Sequence, residues 1–107
     1  MDLAKKRCVP CEGGMPPLDN KKVQEFLKEV PTWQIKDGHL YKHFEFKNFL
    51  ETMRFINKVA EIAEHEGHHP DFSVHYRKVD FELWTHAMNG LSENDFILAA
   101  KIDKIKV

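Results

Sequence analysis

The stretch EHEGHHPDFSVHYRKVDFELWTH, residues 64–86, carries the end of a helix and both strands of a hairpin. Gly67 is the residue type that stops a helix, and Pro70 biases His69 away from helical torsions. From Phe72 the apolar residues alternate as Phe72, Val74 and Tyr76, then change parity to Val79, Phe81 and Leu83. A turn near Arg77-Lys78 between two strands produces that change. Adjacent strands joined by so short a turn must be antiparallel.

Working back from Glu64, Asn48 is placed to cap a long helix. Phe49, Met53, Ile56, Ala60 and Ala63 form one stripe on it, and Phe55, Val59 and Ile62 a second. A stripe this wide predicts burial on more than one side, including a subunit interface. Before it, Asp19 caps a helix with Val23, Phe26, Leu27 and Val30 on one face, and Pro31 ends it. Trp33 and Ile35 then alternate with polar residues, Asp37-Gly38 signals a hairpin, and Leu40 to Phe46 reads as its second strand. Working forward, Ser92 with Asp95 resembles a capping box, and Phe96, Ile97, Ala100 and Ile105 give a last helix its inner face. The order is α-β-β-α-β-β-α: an α+β fold with a four-stranded antiparallel sheet and three helices packed on one face.

The chain has 107 residues, enough for one core and too few for two. Residues 18–107 are expected to form a single domain, and residues 1–17, with Cys8-x-x-Cys11 among glycines and prolines, a flexible N-terminal arm kept reduced. Lysine and arginine number 16 against 17 acidic residues, so no basic field exists to hold phosphate backbones and nucleic acid is a poor partner. No apolar run reaches the roughly 20 residues of a membrane span, and no secretory leader is evident. A cytoplasmic protein is expected. An open sheet with an exposed edge strand, together with the broad apolar helix, predicts a homodimer or homotetramer.

Seven histidines occur; His65, His68, His69 and His75 are close in sequence, and His86 follows one strand later. Imidazole is the side chain best suited to give and take protons near neutral pH. His68 and His69 lie just past a helix end. His86 is expected to close the fourth strand beside the segment leaving His69-Pro70, so that three rings face one cleft. A zinc hydrolase is the sharpest rival, because His65-Glu66-Gly67-His68-His69 satisfies His-Glu-x-x-His. That motif needs a continuous helix, which Gly67 and Pro70 oppose. Plainer roles compete as well: His69 satisfying a loop carbonyl, His86 half-buried in a strand, Glu64 a solvated acid, Asp95 a helix cap. Trp33 and Tyr76 are either core aromatics or stacking surfaces, and His65 and His75 read as exposed.

The segment Glu64-x-x-x-His68-His69-Pro70, followed by Tyr76, His86 and Asp95, resembles the signature of the pterin-4a-carbinolamine dehydratases. Trp33, Phe44-x-Phe46-x-x-Phe49, Lys78-Val79, Thr85-His86 and Gly90-Leu91-Ser92 extend the resemblance over roughly Pro17 to Ile105. It implies an enzyme that needs no cofactor or metal and dehydrates the 4a-hydroxytetrahydropterin left by aromatic amino-acid hydroxylases, as part of tetrahydrobiopterin recycling. By the same resemblance, His68, His69 and His86 would be catalytic. Glu64, Pro70, Thr85, Ala87 and Met88 would join them around the small-molecule pterin, with Asp95 and Trp33 in support. Ala87 and Met88 are less polar than the family's residues at those places, which leaves backbone contacts there. Family members in animals also act as dimerisation partners of a homeodomain transcription factor, and that non-catalytic role is the alternative function.

Overall fold

The computed structural model describes residues 2–9 and 16–107. The Asp19 side chain accepts the Lys22 N–H and opens α1, Asn20–Leu27. The helix ends before Pro31, and the turn that follows drops Val30 and Trp33 into the core. Strands β1 (Gln34–Lys36) and β2 (His39–Glu45) join through Asp37 and Gly38, whose φ angles of 53° and 79° supply the twist of a two-residue hairpin. Asn48 Oδ1 accepts the Glu51 N–H to cap α2, Phe49–Glu66. The chain continues through β3 (Asp71–His75), β4 (Lys78–Leu83) and α3 (Glu93–Asp103).

The sheet runs β1-β2-β4-β3 with every pair antiparallel. On its apolar face Leu40 pairs with Leu83, and Phe44 with Val79. Val79, Phe81 and Leu83 are buried at every second position, each worth about 1.5–3 kcal/mol relative to exposure. Phe55 of α2 lies 4.9 Å from Phe44 and 5.9 Å from Phe81, ring centre to ring centre, and Val23, Phe96, Leu98 and Ile102 complete the same core. The opposite face is polar. There Tyr41 Oη donates to Asp80 Oδ1 at 2.7 Å, with His43 Nδ1 equally close. These bonds hold the Asp80 carboxyl below its ordinary range and push the Tyr41 phenol up.

The α+β order read from the sequence is the order found. The second hairpin turns one residue earlier than expected: His75 pairs with Lys78, so Tyr76 and Arg77 form the connection. Tyr76 takes a φ of 58° there and is exposed, outside the apolar alternation to which it was assigned. On α2 the buried residues are Thr52, Phe55, Ile56, Val59 and Ala63, while Phe49 and Leu50 are exposed. Residues 1–17 were expected to form a flexible arm. Of these, residues 2–9 lie along α3: Leu3, within a short 3₁₀ turn, is 2% exposed, and Lys101 Nζ donates to the Ala4 carbonyl at 2.8 Å. Leu3 belongs to the same buried cluster as Val23, Phe96 and Ile102. Cys11 lies outside the described residues. Among the described residues no helix is long and apolar enough to cross a membrane.

Candidate active site

Gly67 adopts a φ of 66° at the end of α2, and its N–H returns to the Ala63 carbonyl. A left-handed residue at this place ends a helix and redirects the chain, and glycine adopts it without a Cβ penalty. The next residue, His68, therefore leaves the helix axis and turns toward the start of α3. Its Nε2 lies 2.6 Å from Asp95 Oδ1, with the side chains 13% and 0% exposed. A carboxylate buried this deeply is costly unless its acceptors are filled. Here Asp95 Oδ2 accepts from Thr85 Oγ1 at 2.8 Å and from the Ser92 N–H at 2.9 Å. Asp95 is thus both the acid of the expected capping box and the partner that orients His68.

His69 Nε2 is 2.8 Å from Glu64 Oε1, one turn back on α2, and both groups are exposed. The turn at Gly67 breaks the helix between His65 and His69, so the His-Glu-x-x-His residues do not lie on one continuous helix. His65 Nδ1 instead lies 3.1 Å from Glu66 Oε2.

His86 was expected to close the fourth strand. β4 ends at Leu83, and His86 opens a 3₁₀ turn, His86–Met88. Thr85 pairs with Gly90 across this loop, which bends the chain out of the sheet. The His86 ring centre lies 3.8 Å from that of Trp84, and His39 stacks on the same indole at 4.3 Å, nearly parallel. Asp71 Oδ2 accepts from Trp84 Nε1 at 3.0 Å and lies 3.9 Å from His86 Nε2. The antiparallel pairing of β3 with β4, Asp71 opposite Glu82, brings these groups together.

His68, His69 and His86 all line one cleft of about 620 Å³, together with Glu64, Pro70, Asp71, Trp84, Thr85 and Ala87. That volume falls in the range of small-molecule sites. Thr85 reaches the wall but directs its hydroxyl to Asp95. Three expected contributors, Asp95, Met88 and Trp33, do not line the cleft; Asp95 lies behind it, bonded to His68 and Thr85. Met88 is half-buried in the 3₁₀ turn, and Trp33 is a core residue whose Nε1 donates to the Asp103 carboxylate at 3.1 Å. Tyr76, in its exposed turn, does not line it either. Asp71 and Trp84 were missed, although each directly adjoins a recognised pair, Asp71 after His69-Pro70 and Trp84 before Thr85-His86. Cys8, Val9 and Asn94 also line the cleft, and nothing in the local sequence pointed to them.

The sequence model of a family described as pterin 4 alpha carbinolamine dehydratase matches residues 16–105. The chain belongs to that family. A relative from Rickettsia canadensis, provisionally named a pterin-4-alpha-carbinolamine dehydratase, is 50% identical over 103 residues, covering 94% of each chain. One from Nitrosospira multiformis with the same provisional name is 49% identical, covering 97% of this chain and 92% of its own. Among solved structures, a transcriptional coactivator/pterin dehydratase from Brucella melitensis superposes with a TM-score of 0.78 at 32% identity, over 81% of this chain and 95% of that one. A pterin dehydratase-like protein identified as a RuBisCO assembly factor is more distant, with a TM-score of 0.56 at 26% identity over 66% and 82% of the two chains. The carbinolamine dehydratase fold is therefore shared by proteins described in both catalytic and assembly terms.

Proposed function

We propose that the protein dehydrates a 4a-hydroxytetrahydropterin by general acid–base catalysis, within tetrahydrobiopterin recycling. The observation that carries this reading is the convergence of His68, His69 and His86 on one cleft, each with a carboxylate close to its ring. In the reaction the bond from the 4a carbon to its hydroxyl breaks, one imidazole protonates the leaving oxygen, and water departs. Another imidazole takes the proton from the neighbouring ring nitrogen, leaving the quinonoid dihydropterin. Carbon is neither oxidised nor reduced, so the balance calls for no redox partner. His68, oriented by Asp95, is the least exposed of the three rings; His69 and His86 are exposed enough to exchange protons with solvent.

The test is to generate the 4a-hydroxytetrahydropterin in situ and follow its ultraviolet decay with and without the protein. Acceleration by the wild type, unaffected by a chelator and lost in His69→Ala, is the expected result. Decay at the uncatalysed rate with folded protein present would sink the reading.

A non-catalytic binding role is the second reading, favoured by the coactivator and assembly-factor descriptions of the two structural relatives. It leaves the three histidines dispensable, and His86→Ala would then keep full function. Self-association as a homodimer or homotetramer fits both readings. It is supported by the exposed Phe49 and Leu50 at the start of α2 and by the open edges at β1 and β3, and light scattering measures it.

A further inference from the structure

We infer that residues 8 and 9 form a fixed wall of the cleft, so that Cys8 and Val9 contact the bound pterin, and that Glu66 is the positioning residue that holds them there. The inference rests on the pterin reading above and adds to it a segment upstream of residue 16, where the family match begins.

Cys8 and Val9 line the cleft beside Glu64, His68, His69 and Asn94. Their backbone is held at several points. The Cys8 N–H donates to Glu66 Oε1 at 2.8 Å, and the Val9 N–H to Asn94 Oδ1 at 3.0 Å. Asn94 Nδ2 returns a bond to the Val9 carbonyl at 2.6 Å, so one amide side chain pairs with both polar groups of a single residue, as a neighbouring strand would. Upstream, Lys6 pairs with Glu93, Lys101 with the Ala4 carbonyl, and Leu3 is buried. A segment anchored in the core and bonded along its length behaves as a wall.

Glu66 has no part in the proposed chemistry, yet its side chain is only 4% exposed. Burial pushes its carboxyl up; the Cys8 N–H, His65, Lys101 and Arg7 outweigh that and hold it below the ordinary range. A buried acid whose best hydrogen bond goes to the backbone of a distant segment is explained by anchoring that segment. The two clamps also sit beside the His68–Asp95 pair: Glu66 is the last residue of α2 before Gly67-His68, and Asn94 directly precedes Asp95. The wall is therefore fixed to the same two helix ends that set His68.

Steady-state kinetics on the full chain test this. Glu66→Ala removes the acceptor of the Cys8 N–H and should raise KM about three- to tenfold, the worth of one hydrogen bond, with kcat nearly constant. Glu66→Gln keeps an oxygen for that N–H and should recover most of the loss. Val9→Trp, at an exposed position, adds bulk to the cleft without disturbing the core and should also raise KM. An unchanged KM in both Glu66→Ala and Val9→Trp, or a fall in kcat alone, overturns the wall. A readout independent of turnover is the alkylation of Cys8 by iodoacetamide in the Cys11→Ser chain. A dihydropterin product analogue should slow it about tenfold if the sulfur borders the ligand. Unslowed alkylation with the analogue demonstrably bound overturns this inference alone; failure of the analogue to bind overturns the pterin reading and the contact inferred from it.

Discussion

His68 Nε2 and Asp95 Oδ1 lie 2.6 Å apart, and the carboxylate that joins them also caps α3 through the Ser92 N–H. One side chain thus serves the ring's orientation and the helix start together. Asp95→Asn turns one acceptor oxygen into a donor facing groups that already donate. It should lower kcat about a hundredfold by releasing His68, and cost about 1–3 kcal/mol of stability by leaving a buried donor unmatched. Kinetics and a denaturant melt on the same preparation separate the two effects.

His69→Ala and His86→Ala remove exposed rings whose contacts are to Glu64 on one side and to Asp71 and Trp84 on the other. Each should lower kcat/KM by about 10²–10⁴ with little change in thermal midpoint. Self-association, followed by light scattering, should be unaltered.

Trp84 is in ring contact with both His86 and His39. Trp84→Phe keeps an aromatic ring against the two imidazoles but loses the Nε1–H donated to Asp71; Trp84→Ala loses both. The alanine variant should lose about 1 kcal/mol of positioning, roughly fivefold in kcat, and phenylalanine should fall between. The His86 ring-proton shift in NMR, displaced by the indole ring current in the wild type, should follow the same order.

Because the Glu66 carboxyl is held below its ordinary value of 4.5, the folded chain binds fewer protons there than the unfolded chain. The stability this contributes is complete above that value and is lost as pH falls through the lower folded value. Glu66→Gln cannot titrate. It should be less stable than the wild type at neutral pH, and the gap should close once the pH is well below the carboxylate range. Thermal melts across that window give the answer.

Gly67→Ala puts a Cβ into open space but onto a φ of 66°. The cost is conformational alone, about 1–2 kcal/mol in a chemical melt. A loss of activity beyond that of stability would mean that the helix end itself aims His68.

Much of this was legible because it is local. Gly67, His68, His69 and Pro70 are consecutive, and the Ser92–Asp95 cap spans a single turn, so pattern alone exposed the helix end and the start of α3. The pairing of Asp71 with Trp84 was not legible, since it depends on the register of β3 against β4, and the hairpin turns one residue earlier than the apolar parity implied. Trp33 misled because a flat aromatic suits a core as well as a ligand; its bond to Asp103 spans 70 positions. The wall at Cys8 and Val9 rests on contacts 58 and 85 positions away, which no local period records.

The molecule has two indoles, and they sit in opposite surroundings. Trp33 is sealed in the interior, while Trp84 lines the cleft in contact with His39 and His86. Indole emission depends on what touches the ring, so fluorescence from Trp84, a wall of the cleft, reports on whether the cleft is filled. Trp33 supplies the steady background. The protein accordingly carries its own optical gauge of the cleft, readable without a label.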